Sequence, residues 1–348
     1  MRNDTANSAS NEMPALPPSV QLIQMGTAFW VSRVVYVAAR LGLADRLADG
    51  PRSAVVLSGP TGTHARTLHR LMRTLASLGI LTQVDEQSFG LTSLGEALKT
   101  GAPGAARSAI LSLAGQWSWR AWEEFPNSVE TGETSMVKAW GMPVFEFLAK
   151  NPVEASYFSE AMVGIHAMEP PAVAAAYDFS EVGTIVDVGG ATGNMLANIL
   201  SRYPMPRGVL YDLPHVVRDA PALLSKYDLM NRVVIEKGSF FERFPDGGDA
   251  YILSHIIHDW SEDQCLTILR HCRRAMKSGS RLLIVESVLP PGDTPHFGKL
   301  LDMVMLAIPG GEERTEQEYA TLLRAADLRL TRVIPTESAV SIVEAVPA

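Results

Sequence analysis

A glycine-rich turn between an apolar strand and a helix, in residues 184–196 (TIVDVGGATGNML), constrains the fold of this chain most. The apolar residues before the turn are typical of a buried strand, and the apolar run at 195–200 predicts a helix. Glycines let the backbone approach a ligand closely, and a helix start offers free N–H groups. The next predicted strand, 208–211, ends at Asp212, 19 residues after Gly193. An acid at that distance can accept hydrogen bonds from a ribose, so a nucleoside-binding βαβ unit is predicted.

The spacing of the glycines indicates which nucleoside is bound. Gly189, Gly190 and Gly193 are spaced G-G-x-x-G, which does not fit the G-x-G-x-x-G pattern of dinucleotide-binding proteins. Asp187 lies two residues before the first glycine, and an acid there suits a cationic amino-acid group better than a pyrophosphate. S-adenosylmethionine (SAM) carries such a group. We therefore predict SAM as the cofactor and S-adenosylhomocysteine as its product.

Composition narrows the class of protein. The chain has 348 residues and a net charge of −8, which weighs against nucleic acid as the main partner. Cys265 and Cys272 lie seven residues apart on one predicted helix, so we expect buried, reduced thiols rather than a disulfide. No apolar run approaches the roughly 20 residues that are needed to span a bilayer. A polar tail over 1–18, predicted to be disordered, has no apolar signal core, and a cytoplasmic protein without membrane partners is predicted.

Residues 19–104 are predicted to form a first domain of helices and one hairpin. Apolar spacing predicts helices over 19–47 and 63–78, the second ending at Gly79. Strands at 80–82 and 89–92 follow, and Ser93 is expected to cap a short helix with Glu96 at its third position. This order is a winged-helix arrangement. Because the first helix is apolar on more than one side, we expect it to pack against something outside its own domain.

A helical segment over 105–180 and an α/β domain over 181–348 complete the predicted organisation. Aromatic residues are concentrated in the helical segment, where they could form a core, a pocket wall for a flat ligand, or both. Strands are predicted at 184–188, 208–211, 232–235, 249–254 and 281–286, with a late pair near 328–334 and 339–345. The alternation of strands and helices predicts a mostly parallel sheet with a C-terminal antiparallel hairpin.

One histidine and several carboxylates follow the predicted strands. His258 comes after strand 249–254, and Ser261 is expected to cap the next helix with Gln264 as its capping-box partner. Glu286 ends the next strand, and a glycine-hinged loop at 309–315 carries Glu312 and Glu313. In open α/β sheets ligands sit at the carboxyl ends of the strands. A carboxylate on one imidazole nitrogen raises the basicity of the other, so this set predicts a general base with orienting partners.

Each of these residues has a simpler interpretation. His255 and His258 could together ligate a metal, but no third ligand follows at a zinc-like spacing, and we predict no metal. Glu312 and Glu313 could be solvated loop charges. Asp259 could simply cap the following helix.

These motifs together resemble the homodimeric SAM-dependent O-methyltransferases of plant phenylpropanoid and bacterial antibiotic pathways. The resemblance runs from about residue 19 to the end of the chain. It rests on VDVGG at 186–190, YDLP at 211–214, GSFF at 238–241, HDW at 258–260, IVE at 284–286 and GGEERT at 310–315.

The resemblance implies a Rossmann-like class I methyltransferase domain preceded by a mainly helical winged-helix dimerisation domain. It implies that His258 is the catalytic base, flanked by Glu286 and Glu313. Asp187 is expected at the SAM site from the glycine turn itself. The remaining residues expected to bind SAM are Gly189, Asp212, Leu213, Ser239, Phe240 and Ser254. The sequence departs from the family pattern where Ala191 replaces a common glycine and where plant members often have aspartate and lysine in place of Ser239 and Ser254.

The acceptor is expected to be a hydroxyl group on a small, flat aromatic natural product, phenolic and polyketide- or phenazine-like. Segments expected to face the cleft supply the predicted acceptor-binding residues, Phe158, Met162, His166, Asp259 and Met303. Three alternatives stay open from the sequence: a winged-helix ligand-sensing regulator, an NAD-dependent oxidoreductase, and a SAM-binding relative that does not transfer methyl groups.

Overall fold

A computed structural model describes residues 16–348, which divide into two compact units, Met1–Ala102 and Pro103–Ala348. The predicted disordered tail therefore lies almost wholly outside the described residues. The predicted domain boundary at 104 is two residues from the division between the units, whereas the predicted boundary at 180 falls inside the second unit and stays a prediction.

The first unit is mainly helical, with a small antiparallel sheet in the order β1-β3-β2. Its elements are α1 (Pro18–Gly26), α2 (Phe29–Arg40), α3 (Leu43–Arg46), β1 (Arg52–Ser53), α4 (Ala54–Thr61), α5 (Ala65–Ser77), β2 (Leu81–Gln83), β3 (Ser88–Leu91) and α6 (Ser93–Glu96). The hairpin β2–β3 is present where the sequence predicts it, and Gly79 follows α5 in the left-handed conformation expected of a helix terminator.

Two local predictions for this unit need correction. The single helix predicted over 19–47 is divided into α1, α2 and α3, because Thr27 bonds back to the Ile23 carbonyl and Gly42 adopts a left-handed φ of 60°. The cap of α6 is Thr92 rather than Ser93, since the Thr92 hydroxyl accepts the Gly95 N–H at 3.1 Å. Local propensity marked both regions as helical, but side-chain bonds to the backbone set where each helix begins and ends.

The stretch Pro18–Arg40, 23 residues long, is apolar enough by length and composition to cross a membrane. The expectation that no apolar run approaches the length of a membrane span is therefore wrong by this measure, because Ser32 and Arg33 do not make the average of the stretch polar. A single stretch of this kind near the N-terminus is weak evidence for a membrane span. A helix that covers a partner surface has the same composition.

The second unit begins with seven helices and continues as an α/β sheet. The helices are α7 (Ala106–Leu113), α8 (Gln116–Glu123), α9 (Phe125–Thr131), α10 (Ser135–Trp140), α11 (Val144–Lys150), α12 (Pro152–Ile165) and α13 (Glu169–Ala176). Their core contains Trp117, Met136 and Phe147, with the half-buried Phe158 packed against it. The aromatic concentration seen in the sequence therefore builds a core between helices, at least in part.

Seven strands form one sheet in the order β11-β12-β8-β7-β4-β5-β6, in which the five strands from β6 to β8 run parallel and β12 and β11 are antiparallel. The strands are β4 (Thr184–Val188), β5 (Arg207–Asp212), β6 (Val233–Lys237), β7 (Ala250–Ser254), β8 (Arg281–Glu286), β11 (Leu328–Pro335) and β12 (Ser341–Pro347). The helices between them are α14 (Asn194–Arg202), α15 (Ala220–Lys226), α16 (Glu262–Ala275), α17 (Phe297–Ala307) and α18 (Glu316–Arg324). Two short strands, β9 (Val288–Leu289) and β10 (Arg314–Thr315), pair separately. The predicted parallel sheet and C-terminal hairpin are confirmed.

The strand order reverses between β4 and β7. The chain passes from β4 outward to β5 and β6, then returns to place β7 on the other side of β4. In open α/β sheets, ligands bind outside the carboxyl ends of the strands at such a reversal. One hydrophobic core covers each face of the sheet, with Val186 on one face and Ile185 on the other. The loops after β4 and β7 are thus held at a rigid edge.

Candidate functional site

The glycine turn after β4 is shaped by residues that cannot carry a larger side chain. Gly189 and Gly193 have φ values of 72° and 88°, in the region that favours glycine. A methyl group at Gly189 would lie 2.4 Å from Ile256 Cδ1, and one at Gly190 would lie 2.5 Å from the Asp187 carboxyl carbon. Ala191 also adopts a left-handed φ of 50°, so the family's usual glycine would be less strained there. The turn therefore packs directly on the Asp187 carboxyl group.

Two carboxylates flank this turn. Asp187 is buried, and neither of its oxygens forms a hydrogen bond within the described chain. Burial, together with the nearby charge of Asp212, raises the pKa of Asp187 to about 7, although the Leu196 amide opposes the shift. Asp212 accepts the backbone N–H groups of Ala191 at 3.0 Å and Leu213 at 2.7 Å. Two acids beside one glycine turn, one of them buried without a hydrogen-bond partner for its carboxylate, fit a site for a cationic nucleoside such as SAM.

The other predicted SAM-binding residues lie on neighbouring loops. Ser239 follows β6; its carbonyl accepts the Tyr211 hydroxyl at 3.1 Å, and its own hydroxyl accepts the Phe241 N–H. Phe240 packs against Trp260 with ring centroids 6.0 Å apart. Leu213 is exposed after β5, and Ser254 is half-buried at the end of β7. These residues all follow carboxyl ends of the parallel strands.

His258 lies in a short turn, Ile257–Asp259, after β7, and is buried. Its Nδ1 lies 2.7 Å from Glu313 Oε1, so this nitrogen carries a proton whether the ring is charged or neutral, and Nε2 has a free lone pair when the ring is neutral. Nε2 is 3.7 Å from Asp259 Oδ1, beyond hydrogen-bond distance. Burial disfavours the charged imidazole, but the Glu313 hydrogen bond and the charges of Asp259, Glu286 and Glu313 outweigh it and raise the pKa of His258 to about 9.

Glu286 acts on the backbone of this turn rather than on the imidazole ring. Its Oε1 accepts the N–H groups of Ile256, Ile257 and His258 at 3.1, 2.7 and 3.2 Å, and its Oε2 accepts the Tyr319 hydroxyl. The sequence placed Glu286 at the correct sheet edge, but the contact with backbone amides depends on the tertiary structure. The Tyr319 contact carried no signal in the sequence.

The loop that carries Glu313 is fixed from several sides. The Glu313 N–H donates to Asp302 Oδ1 at 2.9 Å, and the Arg314 guanidinium donates to the carbonyl of Ile257 at 3.3 Å. Gly311 lies so close to the backbone of the His258 turn that a methyl group on Gly311 would lie 1.9 Å from the His258 carbonyl oxygen. Arg314 is buried and also pairs with Glu312, which is therefore not simply a solvated charge. Sequence reasoning missed Arg314 and Asp302.

A second imidazole–carboxylate group lies beside His258. Glu169, at the start of α13, is buried; its oxygens lie 3.0 Å from His166 Nδ1, and Oε2 lies 2.6 Å from His255 Nε2. Burial raises the pKa of Glu169, but the hydrogen bonds and charges of the two histidines outweigh the effect of burial. The pKa of Glu169 is therefore lowered to about 2. The rings of His255 and His258 are 5.1 Å apart. Sequence reasoning missed Glu169, whose only local signal is a histidine three residues earlier.

The predicted acceptor-binding residues lie on three elements of the second unit. Phe158 and Met162 are half-buried on α12, His166 ends that helix, and Met303 is half-buried on α17. Asp259 does not cap α16, because Ser261 and Gln264 form the predicted capping box there. Phe145 packs against Trp260 with ring centroids 5.7 Å apart, which links the helical segment to the HDW motif. Whether these side chains bind an acceptor stays a prediction.

Both cysteines match their prediction. Cys265 and Cys272 are free and buried on α16. Burial raises the pKa of both thiols, which keeps them uncharged.

Comparison with known proteins identifies the same two regions. Residues 122–329 match the O-methyltransferase domain family, and residues 23–101 match the O-methyltransferase dimerisation domain family. A phenazine O-methyltransferase of Lysobacter antibioticus is 43% identical over 97% of this chain and 99% of its own length. A mitomycin biosynthesis 6-O-methyltransferase of Streptomyces lavendulae is 37% identical over 88% of both chains. The solved structure of a neocarzinostatin-biosynthesis O-methyltransferase with SAM and 2-hydroxy-5-methyl naphthoic acid is similar with a TM-score of 0.81, at 31% identity over 91% of this chain and 96% of that one.

Proposed function

Because the chain belongs to the family of SAM-dependent O-methyltransferases, we propose that it methylates a hydroxyl group of a small aromatic natural product with His258 as the general base. The observation that carries the proposal is the pair His258–Glu313. In the neutral ring the Glu313 carboxylate holds the proton on Nδ1 and leaves Nε2 free to accept the proton of the acceptor hydroxyl. The SAM methyl group is an electrophile, so the protein has to position the acceptor and remove its proton.

The pKa of His258 suits a phenol. A free histidine with a pKa near ~6.5 would pay about 5 kcal/mol to take a proton from a phenol with a pKa near ~10. With the pKa of His258 at about 9, that cost falls to about 1 kcal/mol. An aliphatic alcohol is far less acidic, so the same base would not serve it. This difference in acidity between phenols and aliphatic alcohols supports an aromatic acceptor.

SAM is proposed to lie across the carboxyl ends of β4, β5 and β7. Asp212 would accept the ribose hydroxyl groups, and the buried Asp187 would support the cationic end through the glycine turn. Gly189, Leu213, Ser239, Phe240 and Ser254 would complete the site. Phe158, Met162, His166, Asp259 and Met303 are proposed to contact the acceptor, and Glu286 to position the backbone of the His258 turn.

Replacing His258 tests the mechanism. We expect His258→Ala to lower kcat by at least about 100-fold and to leave the SAM dissociation constant nearly unchanged, because a general base typically contributes 10²–10⁴-fold. His271→Ala, on α16, is the matched control and should keep wild-type turnover. Near-normal turnover in His258→Ala would show that His258 is not the base.

A panel of acceptors tests the substrate class. Wild-type protein should transfer labelled methyl from SAM to polycyclic or conjugated phenols, such as phenazines, naphthoates and anthraquinones, in preference to aliphatic alcohols. Because the base is a protein side chain, exhaustive EDTA treatment should leave this activity in place. Preference for aliphatic alcohols, or loss of activity that magnesium restores, would contradict the proposal.

We also propose a cytoplasmic homodimer built on the first unit. The match of residues 23–101 to a dimerisation domain family supports it, as do the exposed apolar side chains of α1 and α2. Neither DNA binding nor membrane insertion is part of the proposal.

A further inference from the structure

The group formed by His166, Glu169 and His255 combines two imidazoles and a carboxylate from three separate places in the second unit. His166 ends α12, Glu169 begins α13, and His255 follows β7. One ligand atom from each side chain lies within 4.8 Å of the other two. The proposed proton transfer has a base and an orienting carboxylate without them, and only His166 has a proposed role in the reaction, as a contact for the acceptor. The group therefore calls for an explanation of its own.

The structure holds the three side chains in place before any ion binds. His255 adopts a left-handed φ of 53°, which is costly for a non-glycine residue and fixes where its ring lies. Its ring packs on that of His166 with centroids 3.9 Å apart. Glu169 is buried between them, and its only hydrogen-bond partners among the described residues are these two histidines.

We propose that His166, Glu169 and His255 form a binding site for a divalent transition-metal ion, with Zn²⁺ as the representative. Two imidazole nitrogens and one carboxylate oxygen are a donor set that Zn²⁺ takes in open sites, with water or another ligand in the fourth position. Ligand atoms around a tetrahedral Zn²⁺ lie roughly 3.3 Å apart, given bonds of about 2.0 Å. The observed separations of 2.6 and 3.0 Å to Glu169 need only a small outward movement of the carboxylate. Magnesium and calcium prefer oxygen ligands and are not expected to bind.

Metal at this site would act on the reaction as an inhibitor and not as a cofactor. The His255 ring is 5.1 Å from the His258 ring, so an ion held by His255 would place a positive charge beside the base. His166 is also among the residues proposed to contact the acceptor, so an ion that His166 and His255 hold would take up space that the acceptor needs beside His258. We therefore expect Zn²⁺ to slow methyl transfer and EDTA to restore it.

Metal binding is measured directly, so the test does not depend on methyl transfer. The metal-free protein is titrated with Zn²⁺ by calorimetry and with Co²⁺ by visible absorption. We expect one ion per chain and the d–d bands of a four- or five-coordinate Co²⁺ site. Glu169→Gln and His166→Asn should each weaken Zn²⁺ binding at least tenfold, whereas His271→Ala should bind like wild type. His166 is half-exposed, so its replacement keeps the test valid if Glu169→Gln does not fold.

Further measurements distinguish a metal site at His166, Glu169 and His255 from a metal site that uses His258. His258→Ala should keep Zn²⁺ affinity within about threefold, because His258 is not a ligand. Loss of binding in that variant would place the ion between His255 and His258 and overturn the proposal. Equal Zn²⁺ affinity in wild type and His166→Asn would overturn it as well. Stoichiometric binding without inhibition of methyl transfer would overturn the inhibitory role.

Discussion

At the scale of single residues, the distinctive feature of this protein is a histidine whose basicity is set by its surroundings. Burial alone would make His258 a weaker base than free histidine. The Glu313 hydrogen bond at 2.7 Å and the nearby carboxylates reverse that effect. The Glu313 carboxylate contacts the ring, and Glu286 contributes its charge while bonding the backbone of the turn and the Tyr319 hydroxyl. Glu313 thus both orients the ring and raises its pKa, whereas Glu286 adds to the pKa through its charge alone.

The first prediction concerns the pH dependence of catalysis. His258 must be neutral to accept a proton, and its pKa is about 9, so kcat/KM should rise with pH through about 9 and level off above it. Glu313→Gln removes a charge that favours the imidazolium form, so the midpoint should move to lower pH. Steady-state kinetics with two phenols of different acidity would separate the enzyme pKa from that of the acceptor. An unchanged midpoint in Glu313→Gln would contradict this account.

At the scale of elements, the site depends on how closely two loops approach. The loop 309–315 reaches the His258 turn only because Gly311 has no side chain, and Arg314 then holds the loop through the Ile257 carbonyl. The loop places the Glu313 carboxylate on the imidazole, so a shift of the loop would change both the position and the pKa of the base.

The second prediction tests this close approach. Gly311→Ala would place a methyl group 1.9 Å from the His258 carbonyl oxygen, so the loop has to move. We expect kcat to fall by at least tenfold, since small misplacements of catalytic groups cost up to about 100-fold. SAM affinity should change much less. Gly279→Ala is the control, because a methyl group there has nothing within 4 Å. Equal turnover in the two variants would argue against a positioning role for the loop.

At the scale of the whole molecule, the first unit exposes more apolar surface than a monomer would tolerate. α1 has no buried residue, and Leu22, Ile23, Met25 and Trp30 each expose more than 60% of their surface. Contiguous apolar surface of this kind marks an interaction site. The dimerisation family to which residues 23–101 belong indicates a second copy of the chain as the partner.

The third prediction is an obligate homodimer. Light scattering without detergent should give twice the chain mass at micromolar concentration. Trp30→Glu should weaken the dimer or make the protein insoluble, because it places a charge in the apolar surface. Met205→Glu, in the second unit and 77% exposed, should stay dimeric. A monomer mass for wild type would refute the dimer, and recovery only from membranes would instead support a span at Pro18–Arg40.

Much of the fold followed from the sequence because its signals are local. The alternation of apolar strand and helix patterns predicted the strands β4 to β8, β11 and β12, and glycine spacing predicted the turn after β4, whereas the short strands β9 and β10 were not predicted. The Ser261–Gln264 capping box and the helix end at Gly79 were also predicted correctly, since each depends on residues within one turn. The sheet edge could be predicted too, because parallel strands bring their carboxyl ends together, and this placed His258, Glu286 and Glu313 in one region.

The tertiary structure decided which of those groups touch. Glu286 meets three backbone amides, Arg314 reaches a carbonyl 57 residues away, and Glu169 bonds His255 across 86 residues. No periodicity or spacing encodes such contacts, because they depend on the packing of elements that are far apart in the chain. The division of the first helical run depends on the Thr27 hydroxyl bond and on the left-handed backbone at Gly42, and the cap at Thr92 depends on one side-chain bond. Sequence determined the elements and the edge at which chemistry occurs, and packing determined the partners of each charged group there.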